Sequence, residues 1–359
     1  TAAKDGYVAG ADINLLKAWN LETGDESVIV AIIDSGVDYE HEDLKDAMWV
    51  NEAELNGEPG VDDDNNGYED DIHGYNFAVA ADGSSMQGVI KPQDHGTHVA
   101  GTVGAVNNNG KHGAGIAGGN GSQKGVRLMS CQTICENSAA YISPAFIYAA
   151  NNGAVISQNS WSIDVTETPK HILDGIDYFI NNAGLDAKGN QIGPMAGGVV
   201  IFAAGNDNIT TGHPAMYDKV IAVASTGPSG AKASYSNYGS WVDIAAPGGE
   251  NQTTPYGNVY STMTGNSFGQ MSGTSMACPH VSGVAALMVS KFGGPGYTNE
   301  MLWNKLLESA DEEKLYSNDI NSKYEGLLGL WMPMLRCMKQ MLLLRIQLRQ
   351  LMSWPMPTL

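Results

Sequence analysis

Apolar residues run unbroken along Val28-Ile29-Val30-Ala31-Ile32-Ile33 and stop at Asp34. A short run without alternation is the pattern of a strand buried on both faces, as in a parallel sheet covered by helices. The stretches Gly125 to Ser130, Val155 to Ser157, Gly198 to Phe202, Val220 to Ala224 and Val242 to Ala245 read the same way. Between them the pattern predicts helices over His98 to Val106, Pro144 to Asn151, Ile172 to Asn182 and Ser275 to Lys291. Strands alternating with helices predict an α/β fold, a doubly wound and mostly parallel sheet with helices on both faces. No repeat or linker interrupts the pattern, so residues 1–325 read as one domain. In such sheets ligands collect at the carboxyl ends of the strands.

Composition narrows the function classes. Of 359 residues 43% are hydrophobic and 16% charged, which is a globular balance. The net charge of -20 argues against nucleic acid or an anionic membrane as partner, because both reward Lys and Arg. No apolar stretch of about 18 residues is present to span a bilayer. The chain starts at Thr1 with no signal-peptide pattern, which reads as a processed or trimmed terminus. Four cysteines are too few for a disulfide scaffold; Cys131 and Cys135 are either a close pair or two buried thiols. No Cys/His spacing resembles a zinc site.

The charge is unevenly placed. Residues 1–80 hold 20 of the 39 acidic residues and only three lysines. Residues 326–359 contain no Asp or Glu, yet hold three of the four arginines and six of the 16 methionines. One reading of this tail is an amphipathic helix; the preferred one is a shifted reading frame. Trp331-Met332-Pro333-Met334 requires the bases TGG-ATG-CCN-ATG. Read two nucleotides later, they give Asp-Ala, then Asp where the free base is G, then Ala. Continuing through Leu335 to Met341 permits Ala-Val-Tyr-Glu-Ala-Asp, an acidic helical sequence like the rest of the chain.

Three motifs place polar chemistry at element ends. Asp34 closes the first apolar run, where a half-buried carboxylate must be paired or hydrogen-bonded. His95 opens a predicted helix in Asp94-His95-Gly96-Thr97-His98-Val99-Ala100-Gly101. Ser275 opens another in Gly273-Thr274-Ser275-Met276-Ala277, where the helix dipole favours developing negative charge. Acyl transfer needs a hydroxyl nucleophile, an imidazole to take its proton and a carboxylate to orient the imidazole. Asn206, after a further apolar strand in Ala203-Ala204-Gly205-Asn206, offers an amide that with the Ser275 N–H would make a two-donor oxyanion hole. Taken singly, each residue has a structural explanation as a cap or turn residue.

With Ile32-Ile33-Asp34-Ser35-Gly36, His95-Gly96-Thr97-His98-Val99-Ala100-Gly101 and Gly273-Thr274-Ser275-Met276-Ala277-Cys278-Pro279-His280 in this order, the chain resembles the subtilisin-like serine proteases, or subtilases, over about residues 12–330. The resemblance implies a subtilisin-like fold and an endopeptidase acting on protein or peptide substrates. It assigns Asp34, His95 and Ser275 as the triad and Asn206 as oxyanion donor, leaving His98 structural. It implies an N-terminal propeptide in the precursor and a secreted or cell-surface location. Ser160, Trp161 and Ser162 match the edge that pairs with extended substrate, although many relatives carry glycine where Ser162 stands. Gly197, Gly198 and Ala203 to Gly205, the last included as a substrate contact, would line the pocket. Cys278, one turn past Ser275, reads as a core residue. Two other classes stay open: a catalytically silent pseudoprotease acting by binding, and a hydrolase of esters.

The acidic half carries a cation signal. In Asp62-Asp63-Asp64-Asn65-Asn66-Gly67, Asp62, Asp64 and Asn66 take alternate positions ahead of a turn glycine, a spacing that converges oxygens on Ca²⁺. The twelfth position is His73 rather than Glu, so this is not an EF-hand, and Asp70 or Asp71 would close the shell. A second calcium site is implied by the resemblance, at Asp43 with Asn108. Resequencing the gene across codon 331 is expected to show an insertion or deletion restoring Asp-Ala-Asp-Ala; a clean frame would refute the shift.

Overall fold

The computed structural model describes residues 7–80, 87–134, 138–139, 142–250, 257–308, 310, 315 and 321–331. The strands are β1 (Ile29–Asp34), β2 (Gly74–Asn76), β3 (Val79–Ala80), β4 (Arg127–Gln132), β5 (Ser138–Ala139), β6 (Ile156–Asn159), β7 (Val199–Ala203), β8 (Ile221–Thr226), β9 (Ile244–Pro247), β10 (Val259–Met263), β11 (Ser267–Met271) and β12 (Leu330–Trp331). The helices are α1 (Leu15–Ala18), α2 (Glu52–Leu55), α3 (Asp94–Gly104), α4 (Ser143–Asn151), α5 (Lys170–Asn182), α6 (Thr274–Phe292) and α7 (Asn299–Glu308).

Eight strands form one sheet in the order β12-β9-β8-β7-β6-β1-β4-β2, and every pairing in it is parallel. All six apolar runs are strands of this sheet, each within about two residues of its expected bounds. On one side of β1 lie β4 and then the edge strand β2, which precedes β4 in the chain. From β6 the chain builds through β7, β8 and β9 on the other. The winding reverses between β1 and β6, and a crevice at the carboxyl ends opens at such a reversal.

The period of two along each strand divides the core between the two faces. Val30 and Ile32 of β1, with Val199, Ile201 and Ala203 of β7, pack against α3 and α6. Ala31 and Ile33, with Val200 and Phe202, pack against α4 and α5 on the opposite face. Helix α6 is buried almost throughout from Met276 to Val289. Helix α5 buries one stripe, Ile172, Gly175, Ile176 and Phe179, and leaves the other wet.

The β10–β11 hairpin and β2 do not show as apolar runs. They lie at the periphery and are only partly buried, so burial on both faces never shaped their sequence. At the other edge, Leu330 and Trp331 pair with Ile244 and Ala245, so the sheet takes in residues beyond 325. Residues 332–359, including most of the compositionally distinct tail, lie outside the described residues. So does Cys135, and with it the choice between a Cys131–Cys135 pair and two buried thiols; Cys131 itself is a buried thiol on β4.

Candidate active site

Asp34 ends β1 at the switch point and is fully buried. One carboxylate oxygen, Oδ1, accepts the Ser35 N–H at 2.7 Å and the His95 Nδ1–H at 2.7 Å. His95 stands in the first turn of α3, and that turn must come close to the end of β1. Gly96 permits it: a Cβ there would lie 2.7 Å from the Gly36 carbonyl oxygen, and the Gly96 N–H donates to Ser35 Oγ at 3.0 Å. The Asp34 carboxylate raises the His95 imidazole above its ordinary value of 6.5, against the opposing effect of desolvation. His98, one turn on, is buried with its Nε2 at 3.0 Å from the Val259 carbonyl, and burial lowers it to about 4. It ties α3 to β10 and does not face Asp34.

Ser275 is the second residue of α6. Four residues later Pro279 lies inside the helix and has no N–H to give the Ser275 carbonyl. That carbonyl instead accepts the Ser160 hydroxyl at 2.8 Å. Ser160 in turn accepts from Gln158 Nε2 at 2.7 Å, and its own carbonyl accepts the Ser275 Oγ–H at 3.2 Å. The end of β6 and the start of α6 are thereby latched together. In this arrangement the Ser275 hydroxyl makes no hydrogen bond to His95; nucleophile–base contacts commonly tighten only when substrate is bound.

Asn206 follows β7 and is exposed. Its Oδ1 accepts both the Thr274 N–H and the Thr274 hydroxyl, each at 2.9 Å. The Thr274 hydroxyl also accepts the Gly205 N–H at 3.1 Å. With Oδ1 committed to α6, the amide NH₂ is directed outward. A Cβ placed on Gly273 would stand 3.6 Å from Asn206 Nδ2 and 3.6 Å from Ser275 N. Both donors therefore border one small open space in front of Gly273. The role of Thr274 is not legible in the sequence, because a threonine at a helix start reads only as a capping residue.

The Subtilase family profile matches residues 25–326. The chain belongs to the subtilase family. It is 33% identical over 299 residues to the thermophilic serine proteinase of Bacillus sp. (strain AK1), covering 82% of this chain and 59% of that one. It is 32% identical over 276 residues to thermitase of Thermoactinomyces vulgaris, covering 77% and 79%. An extracellular protease of Xanthomonas campestris is 34% identical over 308 residues, covering 78% and 47%. Among solved structures, a protease from Pseudoalteromonas arctica superimposes with a TM-score of 0.57 at 29% identity, covering 85% of this chain and 90% of that one. This subtilase spans 59%, 48% and 47% of the length of three of its curated relatives.

At the expected substrate edge the three side chains differ in burial. Trp161 is 7% exposed and packs edge-to-face on Phe202 at 4.9 Å, so its side chain belongs to the core. Ser160 is buried in the latch, and Ser162 alone of the three is exposed. Gly205 lies beside the oxyanion candidates. Gly197 and Gly198 do not join them: they precede β7, roughly 16–20 Å of strand away from Ala203, and stand against Asn299 and Phe179. Cys278 is buried, its thiol pushed up by burial, and its Sγ lies 3.5 Å from the Asn159 carbonyl.

The acidic loop closes on itself. Ligand atoms of Glu54, Asp62 and Asp64 all lie within 4.8 Å of one another. No ion pair among the described residues involves them. Three close carboxylates without a cationic side chain suit a hard cation with oxygen ligands. Glu54 was not anticipated, since it lies on α2 outside the loop; its Oε1 accepts the Asp63 and Asp64 N–H groups. Asn66 donates to Asp64 and Asp71. Asp71 is buried beneath, accepting from Asn51, Asn66 and Tyr148, and burial raises it. Asp70 turns away to accept the Gly60 N–H. Asp71 and Asp70 thus support the loop and do not complete the cluster.

At the expected second site the neighbouring residue takes the place of Asn108. Asn108 donates to the Asn120 carbonyl, whereas Asn109 donates to Asp43 Oδ1. Asn108 has φ +58°, a local turn that the sequence pattern did not resolve. Asp43 is fully buried, and its Oδ2 has no hydrogen-bond partner.

The Asp34–His95 pairing makes a titration prediction, read by NMR in a Ser275→Ala background that prevents autolysis. Asp34→Asn is expected to lower the His95 pKa. In the parent, stability from charged His95 is full below 6.5 and is lost as pH rises through its raised pKa. The variant is expected to lose that slope. An unchanged His95 titration would refute the coupling.

Proposed function

We propose that this subtilase is a serine endopeptidase in which Ser275 attacks the peptide carbonyl. His95 takes the Ser275 proton and later passes it to the leaving amine. Asp34 fixes the tautomer by accepting the Nδ1–H, and stabilises the imidazolium that forms. Asn206 Nδ2 and the Ser275 N–H hold the oxyanion. The observation that carries this reading is that Asn206 Nδ2 and Ser275 N border the same space in front of Gly273. The developing charge also meets the N-terminus of α6. The His95–Asp34 hydrogen bond supports the same roles.

The substrate is an extended segment of a protein or peptide, bound beside Gly205 and the exposed Ser162. Ca²⁺ held by Glu54, Asp62 and Asp64 would cancel their mutual repulsion and stabilise the fold. Asp43, with an unpartnered buried oxygen, is the candidate for a second ion. The extracellular relative and the abundance of calcium outside cells support secretion or display at the cell surface.

A fluorophosphonate probe is expected to label the wild type and not Ser275→Ala. That variant should lose roughly 10⁶-fold in turnover on casein. Labelling that persists in it would remove Ser275 from the nucleophile's role. For the metal, Ca²⁺ at a hundredfold excess over its dissociation constant should stabilise the chain by about 2.7 kcal/mol. Chelator should remove that gain in the parent, read as a lowered thermal midpoint, and have a smaller effect on an Asp62→Asn/Asp64→Asn variant, which keeps only the Asp43 candidate. Equal midpoints with and without chelator in the parent would end the calcium reading.

A further inference from the structure

We infer that Asn237 is a positioning residue for the oxyanion donor Asn206, an inference that rests on the oxyanion reading above. Residues 206–211 form an exposed loop, with little packing to hold its first residue in place. An oxyanion donor works only if its place is set before charge develops, to within about 0.5 Å. Something outside the loop must supply that rigidity.

Asn237 is 2% exposed and devotes its whole side chain to this loop. Its Oδ1 accepts the Asp207 N–H at 2.9 Å and the Ile209 N–H at 3.2 Å. Its Nδ2 donates to the Ala204 carbonyl at 3.1 Å and the Thr211 carbonyl at 2.9 Å. A neutral amide offers two donor hydrogens and two lone pairs, and all four are used here. The contacts at Ala204 and Asp207 bracket Asn206 from both sides. Main-chain bonds run alongside: Asn237 N to Gly205 O at 2.9 Å, and Asn208 N to Tyr235 O at 2.8 Å.

The residue next to Asn206 is fitted to the same amide. Gly205 has φ +106°, and a Cβ on it would lie 2.3 Å from Asn237 Nδ2. Thr274 orients the Asn206 side chain from α6, and Asn237 holds its backbone from the opposite side. These are separate constraints on one donor. Asn237 touches none of the reacting groups, so its effect on chemistry must pass through Asn206.

Asn237→Asp tests this without changing volume. The acceptor contacts survive, but both donations become contacts between oxygens. With the fold verified by thermal unfolding, kcat is expected to fall about tenfold or more, within the roughly 10²–10³ lost when such a donor is removed. KM should stay within about twofold, and affinity for a peptide aldehyde, which forms a tetrahedral adduct, should fall in step with kcat. In an Asn206→Ala background the same substitution should change kcat by less than about twofold, because the residue it acts through is gone. If Asn206→Ala alone leaves kcat unchanged, the oxyanion reading itself fails. If Asn206→Ala lowers kcat and Asn237→Asp lowers it again by its full factor, the oxyanion reading stands and the positioning inference is overturned. A folded Asn237→Asp enzyme with wild-type kcat overturns it as well. Should the Asp variant not fold, Asn237→Ser replaces it in the same cycle.

Discussion

A carboxylate buried at the end of the central strand sets the terms for the rest of the site. Asp34 is fully buried, and an unpaired buried charge is costly by several kcal/mol or more. Its Oδ1 is satisfied by the next backbone N–H and by His95. That requirement draws the first turn of α3 against the end of β1, with Gly96 as the residue that permits the approach. Helix α3 then packs with α6 on one face of the sheet, which brings the helix carrying Ser275 to the same edge.

The second constraint is a missing hydrogen. Pro279 cannot complete the α6 ladder, so the Ser275 carbonyl is free to accept from Ser160. The usual cost of an internal proline is offset by a bond that joins the helix to β6. Together with the Thr274–Asn206 contacts, this ties β6, β7 and α6 at the crevice. The site is rigid because its ties cross between elements. The acidic loop follows the opposite logic. Its carboxylates are gathered by backbone and amide donors into a cluster whose members repel one another.

Much of the fold was legible because burial on both faces leaves a continuous apolar run, and all six such runs are strands of the parallel sheet. Strands that are only partly buried, β2 and the β10–β11 hairpin, carry no such signature. The boundary near residue 325 came from a break in composition, which is blind to the pairing of Leu330 and Trp331 with β9. In the site, the motif residues stood out because chemistry restricts residue type at element ends. At the expected substrate edge the Trp161 side chain turns into the core, a burial that main-chain pairing at the edge does not oppose. Asn109 rather than Asn108 meets Asp43 because a left-handed turn at Asn108 redirects the chain.

The sequence by itself determined the α/β class, the strand order in time along the chain, the family, and the residue types offered for nucleophile, base, orienting acid and oxyanion donor. These follow from local patterns, periodicity and motif spacing, which one dimension can carry. Only the tertiary structure decided which groups meet. The Asn237 amide reaches across to residues 204–211, Glu54 joins a loop from a separate helix, and Thr274 faces Asn206 across the crevice. The Asn237 and Thr274 contacts join segments distant in sequence, Glu54 reaches back to the loop from about ten residues before it, and the direction of each is set by packing and by the need to satisfy polar groups.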